Sequence, residues 1–64
     1  MNGKDVIIEM QSKVFSLARK IWGDESESKL AAFWIEHGPI NEKLDIGNRF
    51  DLDWLISELE MRVK

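Results

Sequence analysis

A few side chains of this chain could support chemistry, and their spacing argues against it. His37, the only histidine, is followed by a Gly-Pro pair. A histidine can serve as a general base or a pH switch, but no second catalytic group stands at a meaningful spacing from it. Asp45, Asp51 and Asp53 could surround a cation, yet their spacing does not match a calcium-binding loop. We therefore predict no catalytic residue, no metal site and no cofactor.

The motifs of the common enzyme classes are also missing. The four glycines are isolated from one another, so none belongs to a phosphate-binding loop. The chain has no cysteine, which excludes disulfides, thiolate metal sites and thiol chemistry. A chain of this size would also have difficulty enclosing a pocket that excludes water. The sequence therefore predicts a protein that is not an enzyme.

Charge is divided unevenly along the chain. Residues 1–22 carry four basic and two acidic side chains, a balance of +2, whereas residues 23–64 carry five basic and ten acidic, a balance of −5. The formal net charge is −3. An acidic surface repels phosphate, so nucleic-acid binding would lose its main source of affinity. Basic protein partners are favoured instead.

The length bounds both the fold and its stability. Sixty-four residues form one domain, here residues 1–64, and a chain this short buries only about 60% of its unfolded surface. Small domains commonly need a disulfide, a metal or a partner chain for stability. With no cysteine and one histidine, this composition disfavours the first two, so a partner chain remains. We therefore expect a homodimer. Charged side chains interrupt the longest apolar stretch and no signal-peptide pattern occurs, which indicates a cytoplasmic protein with no membrane span.

Hydrophobic periodicity predicts an all-α fold, a small three-helix bundle. The apolar pattern of the first helix runs from Val6 to Trp22. The helix is expected to start between Asn2 and Asp5, with Asn2 as a possible cap, and to end at a left-handed Gly23. Its apolar positions cover an arc of roughly 200°, twice the width of an ordinary surface helix. Such a helix must be covered from two directions, by a partner on one side or by the other helices of the same chain.

Two further helices follow. The second is expected to start with Asp24 or Ser26 as its cap and to end at the Gly-Pro pair after His37. The sequence of residues 40–50 predicts a short connector that is either irregular or contains one helical turn. The third helix is expected to start at Asp51 as its cap, with Phe50 packed on Leu55 as a hydrophobic staple.

The candidate partner-binding residues lie on two helices. Trp54 and Met61 are predicted to face outward from helix 3, on the side opposite its core stripe, because they lie near 180–200° from Leu52. A tryptophan exposed to solvent is unusual, and tryptophan is enriched at protein interfaces. The alternative is that the connector covers Trp54, which would then belong to the core. The full set of predicted contacts is Trp54, Ser57, Glu58 and Met61 on helix 3, with Ile8, Phe15 and Trp22 on the second stripe of helix 1.

These features together predict a small acidic protein–protein interaction module. We expect a regulator or inhibitor that binds a partner protein and forms a homodimer, in the manner of many small bacterial and phage proteins. One alternative is a regulator that binds nucleic acid through a helix-turn-helix-like arrangement, although the acidic third helix disfavours it. A second alternative is a structural subunit of a larger assembly.

Overall fold

A computed structural model describes the backbone of residues 3–64 and the side chains from Asp5 onward. Helix α1 spans Gly3–Trp22, α2 spans Ser26–His37 and α3 spans Arg49–Val63. About 80% of the structure is helical, and the described residues contain no strand. The predicted all-α fold is therefore confirmed. The predicted cap at Asn2 lies outside the described residues.

No loop separates α1 from α2. Gly23–Glu25 form a single 3-10 turn between them, and Gly23 has the predicted left-handed backbone with φ of 63°. Helical residues consequently run without interruption from residue 5 to residue 37, and Arg49–Val63 form the other helical segment. The prediction of three separate helices in a bundle is not confirmed, because the first two make one helical segment that is bent at Gly23.

The same 3-10 turn changes how α2 begins. Glu25 occupies the cap position and makes no side-chain cap, and the backbone N–H of Ser26 donates to the Gly23 carbonyl. Capping of α2 by Asp24 or Ser26 was therefore a wrong prediction, since the preceding turn already supplies a backbone acceptor. At the other end, the N–H of Gly38 donates to the Trp34 carbonyl at 2.8 Å.

Gly38 is required there by a close approach of the chain to α2. A Cβ atom at this position would lie 2.4 Å from the Trp34 carbonyl oxygen and 3.1 Å from its indole. The chain then leaves the helix in an extended conformation, with φ of −59° and ψ of 152°. Residues 38–48 form an irregular connector without a helical turn, which is one of the two forms expected.

Helix α3 starts earlier than predicted. Asn48 is its cap, and the Asn48 Oδ1 accepts hydrogen bonds from the backbone N–H of Phe50 at 2.8 Å and of Asp51 at 3.4 Å. Phe50 therefore lies in the first turn and is 83% exposed, so the predicted staple on Leu55 is wrong. Asp51 is not the cap; it is buried in that turn at 6% exposure.

The hydrophobic core is built around α1. Val14, Leu17 and Ala18 of α1 form one cluster with buried residues of both other helices, which are Leu30, Phe33, Trp34, Leu52, Leu55 and Leu59. No Cα atom of α2 comes within 8 Å of one in α3. Large aromatic side chains fill the space between those two helices. The molecule measures 31 × 25 × 19 Å, and none of its described helices is long and apolar enough to cross a membrane.

Candidate partner-binding surface

The connector is fixed to all three helices by side-chain hydrogen bonds. Gln11 Nε2 of α1 donates to the Ile46 carbonyl at 2.7 Å, and Trp34 Nε1 of α2 donates to the Glu42 carbonyl at 2.7 Å. The backbone N–H of Asp45 donates to Asp51 Oδ2 of α3 at 3.1 Å. An irregular segment tied down at three points can present its side chains in a defined arrangement.

Two of the three aspartates named as possible cation ligands, Asp45 and Asp51, accept hydrogen bonds from this connector, and Asp53 is exposed on α3. Asp45 Oδ1 accepts the N–H of Gly47 at 2.9 Å, and the Asp45 carbonyl accepts the N–H of Asn48 at 3.0 Å. Asp51 accepts the N–H of Asp45, as described above. In the described part of the chain no group of three or more acidic or histidine side chains is placed to hold a metal ion. The carboxylates of Asp45 and Asp51 order the turn that precedes α3.

A cleft of about 530 Å³ lies between α2 and the connector. Its apolar lining comes from Ala31, Trp34 and Ile35 of α2 and from Ile40 and Leu44 of the connector. Ile35 is 82% exposed and Ile40 is 48% exposed. Exposure of two isoleucines beside an apolar cleft is costly in water, since each loses the burial it could have had. A partner side chain inserted here would be enclosed mainly by apolar groups.

Helix α1 carries further exposed apolar side chains, which lie outside the lining of the cleft. Ile8 and Phe15 are exposed and lie three and four residues from Gln11, so all three side chains share one face of the helix. Gln11 binds the Ile46 carbonyl, which places the exposed Ile46 next to that face. We call the combined surface the connector face, and its large exposed residues are Ile8, Phe15, Ile35, Ile40 and Ile46.

Trp54 does not point outward as predicted. It is half-buried, with its ring centroid 5.6 Å from that of Phe33 and 5.5 Å from that of Trp34, the latter pair at 88°. The angular position of Trp54 on α3 was read correctly, but α2 lies on that side and its aromatic rings reach the indole. The alternative of a core role is therefore closer to the structure, although α2 covers Trp54 and not the connector.

The other predicted residues of helix 3 follow Trp54 along α3, and two of them are more exposed than it is. Ser57 is exposed, Met61 is 62% exposed and Glu58 is half-buried, with its carbonyl accepting from Arg62 Nη1 at 3.4 Å. Phe50, which the sequence analysis placed against the core, joins them. We call the stripe of Phe50, Trp54, Ser57 and Met61 the α3 ridge. The i, i+4 spacing of Phe50 and Trp54 was the available signal for it.

Trp22 is separated from the other predicted residues of helix 1. It is half-buried, and its ring lies 5.8 Å from the ring of Phe33. Phe33 also contacts the His37 ring at 5.1 Å, and the Arg62 guanidinium lies 4.5 Å from its centroid. His37 Nε2 lies 3.7 Å from Glu36 Oε2. His37 thus belongs to an aromatic cluster at the exposed edge between α2 and α3.

Sequence reasoning missed the contribution of α2 and the connector to the candidate surface. By sequence pattern Ile35 extends the apolar face of the second helix, and Ile40 and Ile46 are candidate anchors of the connector, but all three are exposed by 43% or more. Comparison with protein-family models, with curated proteins and with solved structures finds no match. The arrangement of the surface itself is therefore the basis for a functional proposal.

Proposed function

We propose that this chain is a small protein–protein interaction module, a regulator or inhibitor that forms a homodimer and binds a partner protein through the connector face. The observation that carries the proposal is the apolar cleft between α2 and the connector, beside which Ile35 is 82% exposed and Ile40 is 48% exposed. The other large exposed residues of the connector face, Ile8, Phe15 and Ile46, lie outside the lining of this cleft. Scattered exposed hydrophobic residues are ordinary, but a contiguous apolar surface rimmed by charges is typical of an interaction site.

The total surface area supports this proposal. A monomeric protein of 7.5 kDa is expected to expose about 4,250 Å². This chain exposes 4740 Å², about 500 Å² more. A standard protein interface buries about 800 Å² on each partner. The excess is about 60% of that area, so an interface of standard size could cover it.

The connector face suits a partner better than the α3 ridge does. It combines side chains from α1, α2 and the connector, and three hydrogen bonds hold the connector in place. A preformed concave site binds with less loss of conformational entropy than a convex stripe on a single helix. The α3 ridge also contributes less free apolar surface, because Trp54 already packs on Phe33 and Trp34.

The structure offers little to support the alternative of nucleic-acid binding. Asp53 and Glu60 are exposed along α3, the helix that would have to enter a groove lined by phosphates. The formal net charge of −3 adds a general repulsion. We therefore propose a protein partner, and the basic side chains favoured by an acidic surface would surround the apolar residues that enter the cleft.

The test uses the wild-type chain and two matched variants as bait in an extract of the cells that express it. Ile35→Glu places a charge in the connector face, and Phe50→Glu places the same charge on the α3 ridge at a residue of equal exposure. We expect the wild type and Phe50→Glu to retain one protein in stoichiometric amount. Ile35→Glu should bind it at least about tenfold more weakly, since a buried isoleucine contributes about 1.5–3 kcal/mol.

The solution mass of each purified variant is the control, because both substitutions should leave the fold and the dimer intact. Circular dichroism of both variants should match the wild type. Loss of binding in Phe50→Glu alone would move the site to the α3 ridge. Equal binding by all three chains, or no stoichiometric partner for any of them, would refute the proposal.

A further inference from the structure

The bend between α1 and α2 is centred on one glycine. Gly23 is the one residue with positive φ in the described part of the chain, and helical residues precede and follow it directly. Its neighbours Trp22, at φ −115° and ψ −7°, and Glu25, at φ −93° and ψ 14°, depart less from helical angles. A change of φ at Gly23 to the helical value, with smaller adjustments at Trp22 and Glu25, would therefore join both helices into one straight helix. That helix would be about 50 Å long over residues 3–37.

The surroundings of Gly23 do not enforce its left-handed conformation. A Cβ atom built there has no heavy atom within 4 Å. A residue with a side chain would consequently meet no packing obstacle, and only its backbone preference would change. The left-handed conformation is unfavourable for an L-residue with a side chain, whereas glycine adopts it readily. The balance between the bent and straight forms therefore depends on the residue type at position 23.

The contacts that α1 makes across the bend could form equally between two chains. They comprise the packing of Val14, Leu17 and Ala18 in the core, the Gln11–Ile46 hydrogen bond and an ion pair of Lys13 Nζ with Glu60 Oε1 at 3.8 Å. None of them depends on α1 and α2 belonging to the same chain. Exchange of an identical element is a route to dimers with little cost, because the interface already exists.

We propose that the surface of α2, the connector and α3 that α1 covers also binds α1 of a second copy, by straightening at Gly23. The inference rests on the homodimer of the proposed function and names its interface. Each exchanged half contains α1 of one chain with α2 and the connector of the other. Both connector faces are therefore rebuilt, and the dimer presents two of them to a partner.

The test compares the wild type with Gly23→Ala and Gly23→Asn by light scattering over a range of concentrations. Alanine disfavours the bend and favours the helix, whereas asparagine tolerates the left-handed conformation. Each exchanged dimer contains two straightened Gly23 positions, so the effect of a substitution there counts twice. We therefore expect the dimer dissociation constant of Gly23→Ala to be at least about 25-fold lower than that of wild type. Gly23→Asn should stay close to wild type.

A zero-length cross-link then distinguishes exchange from ordinary pairing. Wild-type chains, unlabelled and ¹⁵N-labelled, are refolded together at high concentration and treated with a carbodiimide, which couples the Lys13 amine to the Glu60 carboxylate. Exchange predicts linked peptides that combine a labelled and an unlabelled half in the dimer fraction. Links confined to one isotope, equal dissociation constants for the alanine and asparagine variants, or loss of helical signal in Gly23→Ala would each overturn the proposal.

The outcomes separate this inference from the proposed function. A dimer whose Lys13–Glu60 links stay within one chain would leave partner binding by the connector face untouched and remove the exchange. Chains that exchange α1 but bind no partner through the wild-type connector face would support the exchange and refute the proposed partner binding. The two proposals therefore fail on different measurements.

Discussion

Asp51 joins the connector to α3 through a buried carboxylate. It lies in the first turn of α3, where the positive end of the helix favours a negative side chain, and its Oδ2 accepts the N–H of Asp45. Within the described residues no buried side-chain nitrogen or oxygen lacks a hydrogen-bond partner. The burial of this charge is thus compensated locally.

Replacement of Asp51 tests that role. We expect Asp51→Ala to lower the free energy of unfolding by about 1–3 kcal/mol, because the Asp45 N–H would lose its acceptor. Urea unfolding followed by circular dichroism measures the change. The matched control is Asp53→Ala, an exposed aspartate two residues further on, which should change stability by less than about 0.5 kcal/mol. Equal effects of the two substitutions would contradict a specific role for Asp51.

The connector is an element without regular structure, and side chains of the helices hold it in place. Its fixed points at Glu42, Asp45 and Ile46 each use a partner from a different helix. The Gln11 hydrogen bond is the one that links the connector to the exposed face of α1. This hydrogen bond therefore holds the connector part of the connector face against its α1 part.

Removal of the Gln11 side chain should loosen the connector without disturbing the helices. We expect Gln11→Ala to cost about 0.5–1.5 kcal/mol and to speed amide hydrogen exchange at Asp45, Gly47 and Asn48. Exchange within α1 should change little. Ser12→Ala, an exposed substitution on the next residue of α1, is the control and should leave those amides as in wild type. Unchanged exchange in Gln11→Ala would show that the other two bonds suffice.

The whole molecule depends on a small core with α1 at its centre. Stability of about 0.05–0.15 kcal/mol per residue corresponds to about 3–10 kcal/mol for 64 residues. A single large core side chain is therefore a sizeable part of the total. Leu55 is fully buried in this core.

Truncation of Leu55 tests how much of the total stability one core side chain contributes. Leu55→Ala should destabilise the chain by about 2–5 kcal/mol, through lost burial and the cavity that remains. Much of the helical signal should then be lost at moderate urea or temperature. Val63→Ala, on the same helix but 41% exposed in wild type, should shift the transition much less. A Leu55→Ala chain as stable as Val63→Ala would mean that the core is organised differently.

Local patterns in the sequence were sufficient for the helical class, the end of α1 and the core stripe of α3. The left-handed turn at Gly23 follows from a glycine directly after an apolar helical pattern, and Leu52, Leu55 and Leu59 are buried as their spacing predicts. These features depend on residues within a few positions of one another. Periodicity and glycine geometry therefore predict them before any tertiary contact forms. The same spacing also puts Ile56 and Val63 in the core stripe, but Ile56 is half-buried and Val63 is 41% exposed.

Tertiary structure decided which apolar residues remain exposed. Trp54 is covered because the aromatic rings of α2 reach across to α3, and Phe50 is exposed because Asn48 begins α3 earlier than expected. Hydrogen bonds from Trp34 and Gln11 hold the connector against α2 and α1, which forms the cleft beside Ile35 and places Ile46 next to α1. Burial depends on neighbours that are distant in sequence, and the periodicity of one helix gives its apolar face without naming what covers that face.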